Sequence, residues 1–358
     1  MKKVNLYSLM SGLSPGERLK IYRKVWYEAG RYEILTDYPL HLDVELAGVC
    51  NLKCEFCFQN GLIKDPLGYM DFEIFKKTID EGRQKGLCAV KLQVRGESFL
   101  HPKLFDCIRY AKDAGVVDVQ ITTNGTIMDD KRIQNILDSG LDGIIFSVDG
   151  QHNDSYREKY KAQDSLSIEQ AINNLLYLRD KHKKLHPWVR VQTSIVNGNA
   201  GSIRKIENEL INKFKLADIV IVSKVHDFRE NVEAYPDFHD NYKILPCNYL
   251  MQRLTIFWNG DVTTCCSDYN NRFKLGNVRY QTVEEIWNSE KMENLRKRHN
   301  SGLRKEISMC SNCPVNIAPV FEGELAENKI LNYVDHECKA PPLLEIFKQK
   351  RYENNKIR

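Results

Sequence analysis

The chain has 358 residues, 42% of them hydrophobic, and a net charge of +4, which is enough for one large domain with a smaller one beside it. Acidic and basic residues are interspersed, so no nucleic-acid partner is called for. The apolar runs are too short for a signal-peptide core or a membrane span, so no membrane partner is expected and the cytoplasm is the expected compartment.

Residues 1–39 are expected to form a helical N-terminal extension that ends at the Tyr38-Pro39 breaker. A regular alternation follows. Strands are expected at 41–46, 89–94, 118–123, 143–148, 189–196 and 218–222, with amphipathic helices at 71–85, 102–114, 131–138, 168–183 and 202–215. That rhythm implies a parallel sheet with helices outside it, over residues 40–230. Six βα units fall short of the eight that close a full barrel. The expected α/β fold is therefore a partial (β/α)6 TIM-like barrel.

One parity of these strands keeps turning polar: Asp43 and Glu45, then Lys91, Gln93 and Arg95, then Gln120 and Thr122, Ser147 and Asp149, and Arg190, Gln192 and Ser194. The other parity, with Val90, Leu92, Val94, Ile145, Val191 and Ile195, is apolar. Side chains two apart share a face, so the lumen is expected to be polar, which is costly unless it holds a ligand or a hydrogen-bonded network. The alternative is that these residues face solvent at strand ends.

Residues 231–246 are expected to be a linker. A small domain follows at 247–320, where Asn259-Gly260 between two strand-like runs signals a hairpin. A charged tail at 321–358 is expected to be helical around 343–351.

The chain has eleven cysteines, and in a long chain without secretory signals they read as metal ligands or reactive thiols. Cys50, Cys54 and Cys57 form a CxxxCxxC loop directly after the first strand, at the end where parallel α/β sheets place active sites. Three thiolates can hold three irons of a cubane and leave the fourth open, whereas electron-transfer clusters use four. A zinc site is the rival reading, but it needs a fourth N or S ligand, and no histidine lies beside this loop.

This loop, with the aromatic Phe56 before its third cysteine, resembles the signature of the radical S-adenosylmethionine (SAM) superfamily. The resemblance covers roughly residues 40–225. Gly96-Glu97 resembles the family's GE motif, which holds the amino group of SAM, although a proline after the glutamate is common in the family and Ser98 stands here. Asn124 of Thr123-Asn124-Gly125, and Ser147 and Asp149 of Ser-Val-Asp-Gly, follow in the expected order. Arg157 fits a partner for SAM's carboxylate. Gln120, Gln192 and Ser194 fit contacts to its ribose or adenine. The resemblance implies a [4Fe–4S] cluster that splits SAM to a 5′-deoxyadenosyl radical, with a flavodoxin or ferredoxin as reductant.

Cys247, Gly260, Cys265, the Gly276-Asn277 segment and Cys310-x-x-Cys313 resemble the SPASM/twitch accessory domain of that superfamily. The shorter, twitch-like pattern implies one auxiliary [4Fe–4S] cluster on Cys247, Cys265, Cys310 and Cys313. Here Cys266 is the alternative to Cys265, and a zinc ribbon is the alternative to iron–sulfur. Cys88 and Cys107 read as core, which leaves Cys266 and Cys338 as candidate reactive thiols.

The resemblance implies hydrogen abstraction from a small substrate (a sugar, cyclitol or nucleotide-linked sugar), with oxidation of a carbinol to a ketone. Asp43, Glu45 and Arg95 are the candidate bases. Epimerisation with Cys266 or Cys338 as hydrogen donor is one alternative, and modification of a peptide or protein is another. A non-catalytic iron–sulfur carrier is the alternative of a different class.

Overall fold

The computed structural model describes residues 2–54, 57, 59, 67–148, 166–195, 200–224, 242–311, 313 and 317–319. Six parallel strands form its centre: β3 (His41–Val44), β4 (Ala89–Lys91), β5 (Asp118–Thr123), β6 (Gly143–Ser147), β7 (Trp188–Ile195) and β8 (Ile219–Lys224). Helices lie between successive strands: α3 (Phe72–Lys85), α4 (Leu104–Asp113), α5 (Asp130–Asp138), α6 (Ile168–Lys181) and α7 (Ala200–Lys213). This is the expected (β/α)6 arrangement.

Local chemistry sets the helix ends. Asp71 caps α3 by accepting the N–H of Glu73, and Gly86 ends it with φ +83°. Ser167 and Gln170 form a capping box on α6. The outward strand face (Leu42, Val44, Val90, Val119, Ile121, Phe146) packs on Phe75, Ile79, Ile108, Ile133 and Leu175 of the helices in one apolar core, which also contains Cys88 and Cys107.

The N-terminal extension is not wholly helical. Its helices α1 (Leu6–Met10) and α2 (Pro15–Gly30) are framed by two short strands, β1 (Lys2–Val4) and β2 (Ile34–Thr36), which pair in parallel. The stretch read as a linker also carries a strand, β9 (Tyr242–Ile244), antiparallel to β13 (Ile317–Pro319). The expected tail helix at 343–351 lies outside the described residues.

The expected hairpin is present, with β10 (Arg253–Ile256) and β11 (Asp261–Thr263) turning at Gly260, whose φ is +87°. It does not form a sheet of its own. β10 pairs in parallel with β3, Arg253 opposite His41 and Thr255 opposite Asp43, so the small lobe extends the barrel sheet past its first strand. Around it lie β12 (Gly276–Asn277) and the helices α8 (Tyr249–Gln252), α9 (Val283–Trp287), α10 (Glu290–Asn300) and α11 (Ser308–Ser311).

Register corrects one detail of the strand parity. Ile145 lies opposite Thr122 and Arg190, on the same face as Ser147, so it belongs to the lumen side and not to the outward apolar side. The lumen face is otherwise polar, with Asp43, Lys91 and Gln120 in one row. At the next position round, Gly143 leaves room for the indole of Trp188, which a Cβ there would meet at 2.1 Å.

Candidate functional site

The chain leaves β3 at Val44 and reaches Cys50 through a segment held on both sides. Gly48 N–H donates to Gly68 O at 2.8 Å, and Glu97 N–H donates to Val49 O at 2.9 Å. Gly96 lies so close to this segment that a Cβ would stand 2.2 Å from the carbonyl oxygens of Ala47 and Val49. Gln59, just past the third cysteine, donates to Gly48 O at 2.6 Å and to Arg95 O at 2.8 Å. The cysteine loop and the GE turn are thereby one fastened unit.

Within the loop, Cys57 N–H donates to Cys54 O at 3.0 Å. Leu52 N–H and Asn124 Nδ2 approach Cys50 Sγ at 3.4 and 3.8 Å. Burial pushes the Cys50 thiol up to about 12, with Glu97, Cys54 and Cys57 adding to the rise against the Leu52 N–H. A thiolate there needs a cation beside it, which iron supplies. Phe56 lies outside the described residues.

Glu97 is buried, and its carboxylate accepts the N–H groups of Phe99 at 3.1 Å and Asn124 at 2.7 Å. Asn124 Nδ2 donates to Asn51 of the cysteine loop at 3.0 Å. Both residues therefore fasten the third-strand turn to the cluster loop. Gln120 donates to Asp118 at 2.9 Å, while Ser147 faces the lumen in register with Gln192, with Ser194 two residues on. Asp149 and Arg157 lie outside the described residues.

Of the three candidate bases, Glu45 and Arg95 are committed to each other. Arg95 Nε and a terminal nitrogen each donate to Glu45 at 2.6 Å, and both side chains are buried. Trp258 N–H donates to the same carboxylate at 3.1 Å, and Arg95 donates to Tyr269 O at 2.9 Å and stacks 4.0 Å over Phe257. Asp43 remains in the lumen, where it meets His41 Nε2 at 3.2 Å and Arg253 at 3.4 Å. Burial would raise its pKa, but Arg253 and His41 outweigh burial and hold the carboxyl far below its usual value.

The second group of cysteines lies in the small lobe, on segments tied together by hydrogen bonds. Tyr32 OH donates to Cys247 O at 2.8 Å, and Cys247 N–H donates to His299 Nδ1 at 3.1 Å. Arg304 donates to Leu245 O and Cys313 O at 2.8 Å and to Cys310 O at 3.3 Å. The thiols sense one another: burial pushes Cys247 up to about 11 and Cys310 to about 12, with Cys313 raising both. Cys265 is raised by burial and then by Cys266, Cys247 and Cys313. The neighbours of Cys266 also include Asp43, Arg253 and Lys91, which are lumen groups. Cys265 is thus electrostatically coupled to the small lobe's thiols and Cys266 to groups of the barrel lumen. Cys338 lies outside the described residues.

Sequence reasoning passed over Tyr32, Gln59, His299 and Arg304, because each acts on a backbone group brought near only by folding. Among the described residues, no three His, Cys, Asp or Glu side chains converge as the ligands of a single metal ion do. The donor chemistry fits iron–sulfur cubanes: three thiols on one loop leave an iron open for SAM, and four thiols close a second cluster.

Comparison with known proteins agrees. The Radical SAM superfamily matches residues 44–196, and an iron–sulfur cluster-binding (SPASM) domain matches residues 247–314. The chain is 24% identical, over 70% of its length and 81% of the relative's, to a tungsten-containing aldehyde ferredoxin oxidoreductase cofactor-modifying protein of Pyrococcus furiosus. It is 22% identical, over 76% and 91%, to an S-adenosyl-L-methionine-dependent 2-deoxy-scyllo-inosamine dehydrogenase of Niallia circulans. Its fold is similar to that of Streptococcus suis SuiB bound to its precursor peptide SuiA, with a TM-score of 0.55 at 14% identity over 80% and 73% of the two chains. With the three-cysteine loop, the GE turn and the second cysteine set in place, the chain is a radical SAM enzyme with a SPASM-type iron–sulfur domain.

Proposed function

We propose that this enzyme abstracts hydrogen from a small carbinol substrate, a sugar, cyclitol or nucleotide-linked sugar, and oxidises it to a ketone in the cytoplasm. One observation supports this reading: Cys265 feels the charge of Cys247 and Cys313, and its chain neighbour Cys266 feels that of Asp43, Arg253 and Lys91 in the lumen. The auxiliary centre is thus one residue from the place where a substrate would lie. When bound, the first cluster supplies the electron that splits SAM into methionine and a hydrogen-abstracting 5′-deoxyadenosyl radical, and the second takes up the electron the substrate gives away.

The chain's own residues do the rest. Cys50, Cys54 and Cys57 would hold the first cluster, and Cys247, Cys265, Cys310 and Cys313 the second. Asp43, kept ionised by Arg253, would accept the proton that the substrate hydroxyl loses as hydrogen atom and electron depart. The dehydrogenase relative supports the reaction class, and a ferredoxin or flavodoxin is the fitting reductant. The Cys266 thiol also favours a second reading, epimerisation, in which it returns a hydrogen atom to the opposite face.

The test is anaerobic reconstitution with iron and sulfide, addition of SAM and dithionite, and measurement of 5′-deoxyadenosine. Wild type should form it, with candidate sugars or cell extract present if substrate is needed. The triple variant Cys50→Ala, Cys54→Ala, Cys57→Ala should form none. A cluster-loaded protein that forms none under any of these conditions would sink the proposal. Turnover in D2O separates the two readings: epimerisation leaves deuterium on carbon and fails in Cys266→Ala, whereas oxidation does neither.

A further inference from the structure

The lumen floor holds more positive charge than its described carboxylates balance. Among the described residues Lys91 is only partly exposed and makes no hydrogen bond or close ion pair; burial lowers its pKa, and the charge of Asp43 is what most opposes that. Its row neighbour Asp43 already meets His41 at 3.2 Å and Arg253 at 3.4 Å. The other carboxylate nearby, Asp118, takes Arg23 at 2.9 Å and Gln120 at 2.9 Å. His41 is buried, and burial lowers its pKa, so it offers nothing that could balance Lys91. Arg253 is fixed between the rings of Tyr249 and Trp26, 4.0 and 5.1 Å away, and among the described residues its ion-pair partner is Asp43. Two hydroxyls on the same face, Thr122 Oγ1 and Thr255 Oγ1, are buried with no hydrogen-bond partner among the described residues.

A largely buried ammonium that shares its nearest carboxylate with Arg253 and His41 is expensive, because the water it loses is only partly replaced. Such a group persists where a ligand supplies the missing anion. Position agrees with that. Lys91 is in register with Gln120, Gln120 with Gly143, and Ser147 lies four residues further along the same strand. Lys91 therefore sits two side-chain rows, about 13 Å of strand, below the Ser147–Gln192 level, with Trp188 closing the floor beyond Gly143.

We propose that Lys91 and Arg253 bind an anionic group of the substrate, a phosphate or a carboxylate, at the lumen floor, which leaves the rest of the substrate extending up toward the three-cysteine loop. This rests on the reading of the lumen as the substrate pocket and narrows it. It favours a phosphorylated, nucleotide-linked or acidic sugar over a cationic aminocyclitol.

The test uses three probes that differ only in the charged group, glycerol 3-phosphate, glycerate and glycerol, titrated into cluster-loaded protein with SAM. Melting temperature is the readout, and no turnover is needed. One of the two anions should raise it saturably while glycerol does not, and the better anion identifies phosphate or carboxylate. Lys91→Met and Lys91→Gln should each weaken that anion about tenfold or more. Without any probe, Lys91→Met should melt at or above the wild-type temperature, because it removes a largely desolvated charge that has no close ion pair among the described residues. Equal responses to all three probes, or unchanged anion affinity in both variants, would overturn the proposal. So would a Lys91→Met protein that melts well below wild type or does not fold, since the lysine would then be structural. Because the probes are read by melting, a flat response leaves the 5′-deoxyadenosine result standing, and absence of 5′-deoxyadenosine leaves the anion result standing.

Discussion

A hydrogen atom on Gly96 is replaced by a methyl group in alanine, and that methyl would stand 2.2 Å from two carbonyl oxygens of the segment entering Cys50. Neither oxygen can retreat cheaply. Val49 O is already bonded to Glu97 N–H, and the residue between them, Gly48, is held by Gly68 and Gln59. Gly96→Ala should therefore shift the cysteine loop by about an ångström and lower 5′-deoxyadenosine formation about a hundredfold. Far-ultraviolet circular dichroism should stay at the wild-type value. Normal SAM cleavage in this variant would show that the contact is slack.

The same scale shows what a sequence conveys. The three cysteines of the first loop were legible because they are a local pattern: four and three residues along one chain already put the thiols together. Ile145 was misplaced because an isolated apolar residue in a polar row carries no sign of its face, and only the register with Thr122 and Arg190 assigns it. Between Cys265 and Cys266, spacing favoured the first. Electrostatically, Cys265 is coupled to Cys247 and Cys313, while Cys266 is coupled to Asp43, Arg253 and Lys91.

At the scale of elements, strands and helices of the barrel were legible from periodicity, because each buries one face against a neighbouring layer. β9 was not: three residues pairing with a strand more than seventy positions later have no local signal. The second cysteine centre depends on several such distant elements. Cys247 precedes α8, Cys265 follows β11, and Cys310 and Cys313 belong to the α11 turn. Arg304 joins two of these pieces through three carbonyls, and it is buried. Arg304→Gln cannot span all three. Iron per chain should fall from about eight toward about four after reconstitution, as one of two four-iron clusters is lost. The three-cysteine cluster should keep its electron paramagnetic resonance signal on reduction. Retention of both clusters in Arg304→Gln would mean that the other contacts suffice.

Across the whole molecule, the two lobes share more than a boundary. β10 lies against β3, Glu81 of α3 accepts the first N–H groups of α9 at 2.9 Å, and Trp287 donates to Thr36 O at 2.7 Å. The Glu45–Arg95 pair sits at this seam, with Glu45 at the end of the barrel's first strand and Arg95 reaching Phe257 and Tyr269 of the small lobe. A buried pair of this kind adds little over apolar packing, but losing one partner strands the other charge without water. Arg95→Met should therefore cost about 3–5 kcal/mol of unfolding free energy, read by denaturant melts of the cluster-loaded protein. Adding Glu45→Gln to Arg95→Met should recover much of that loss, because the stranded carboxylate is gone and the amide can still accept the Trp258 N–H. A double variant no more stable than Arg95→Met would assign the loss to the contacts of Arg95 with Phe257 and Tyr269 instead, and the seam would then rest on packing and backbone bonds rather than on the ion pair.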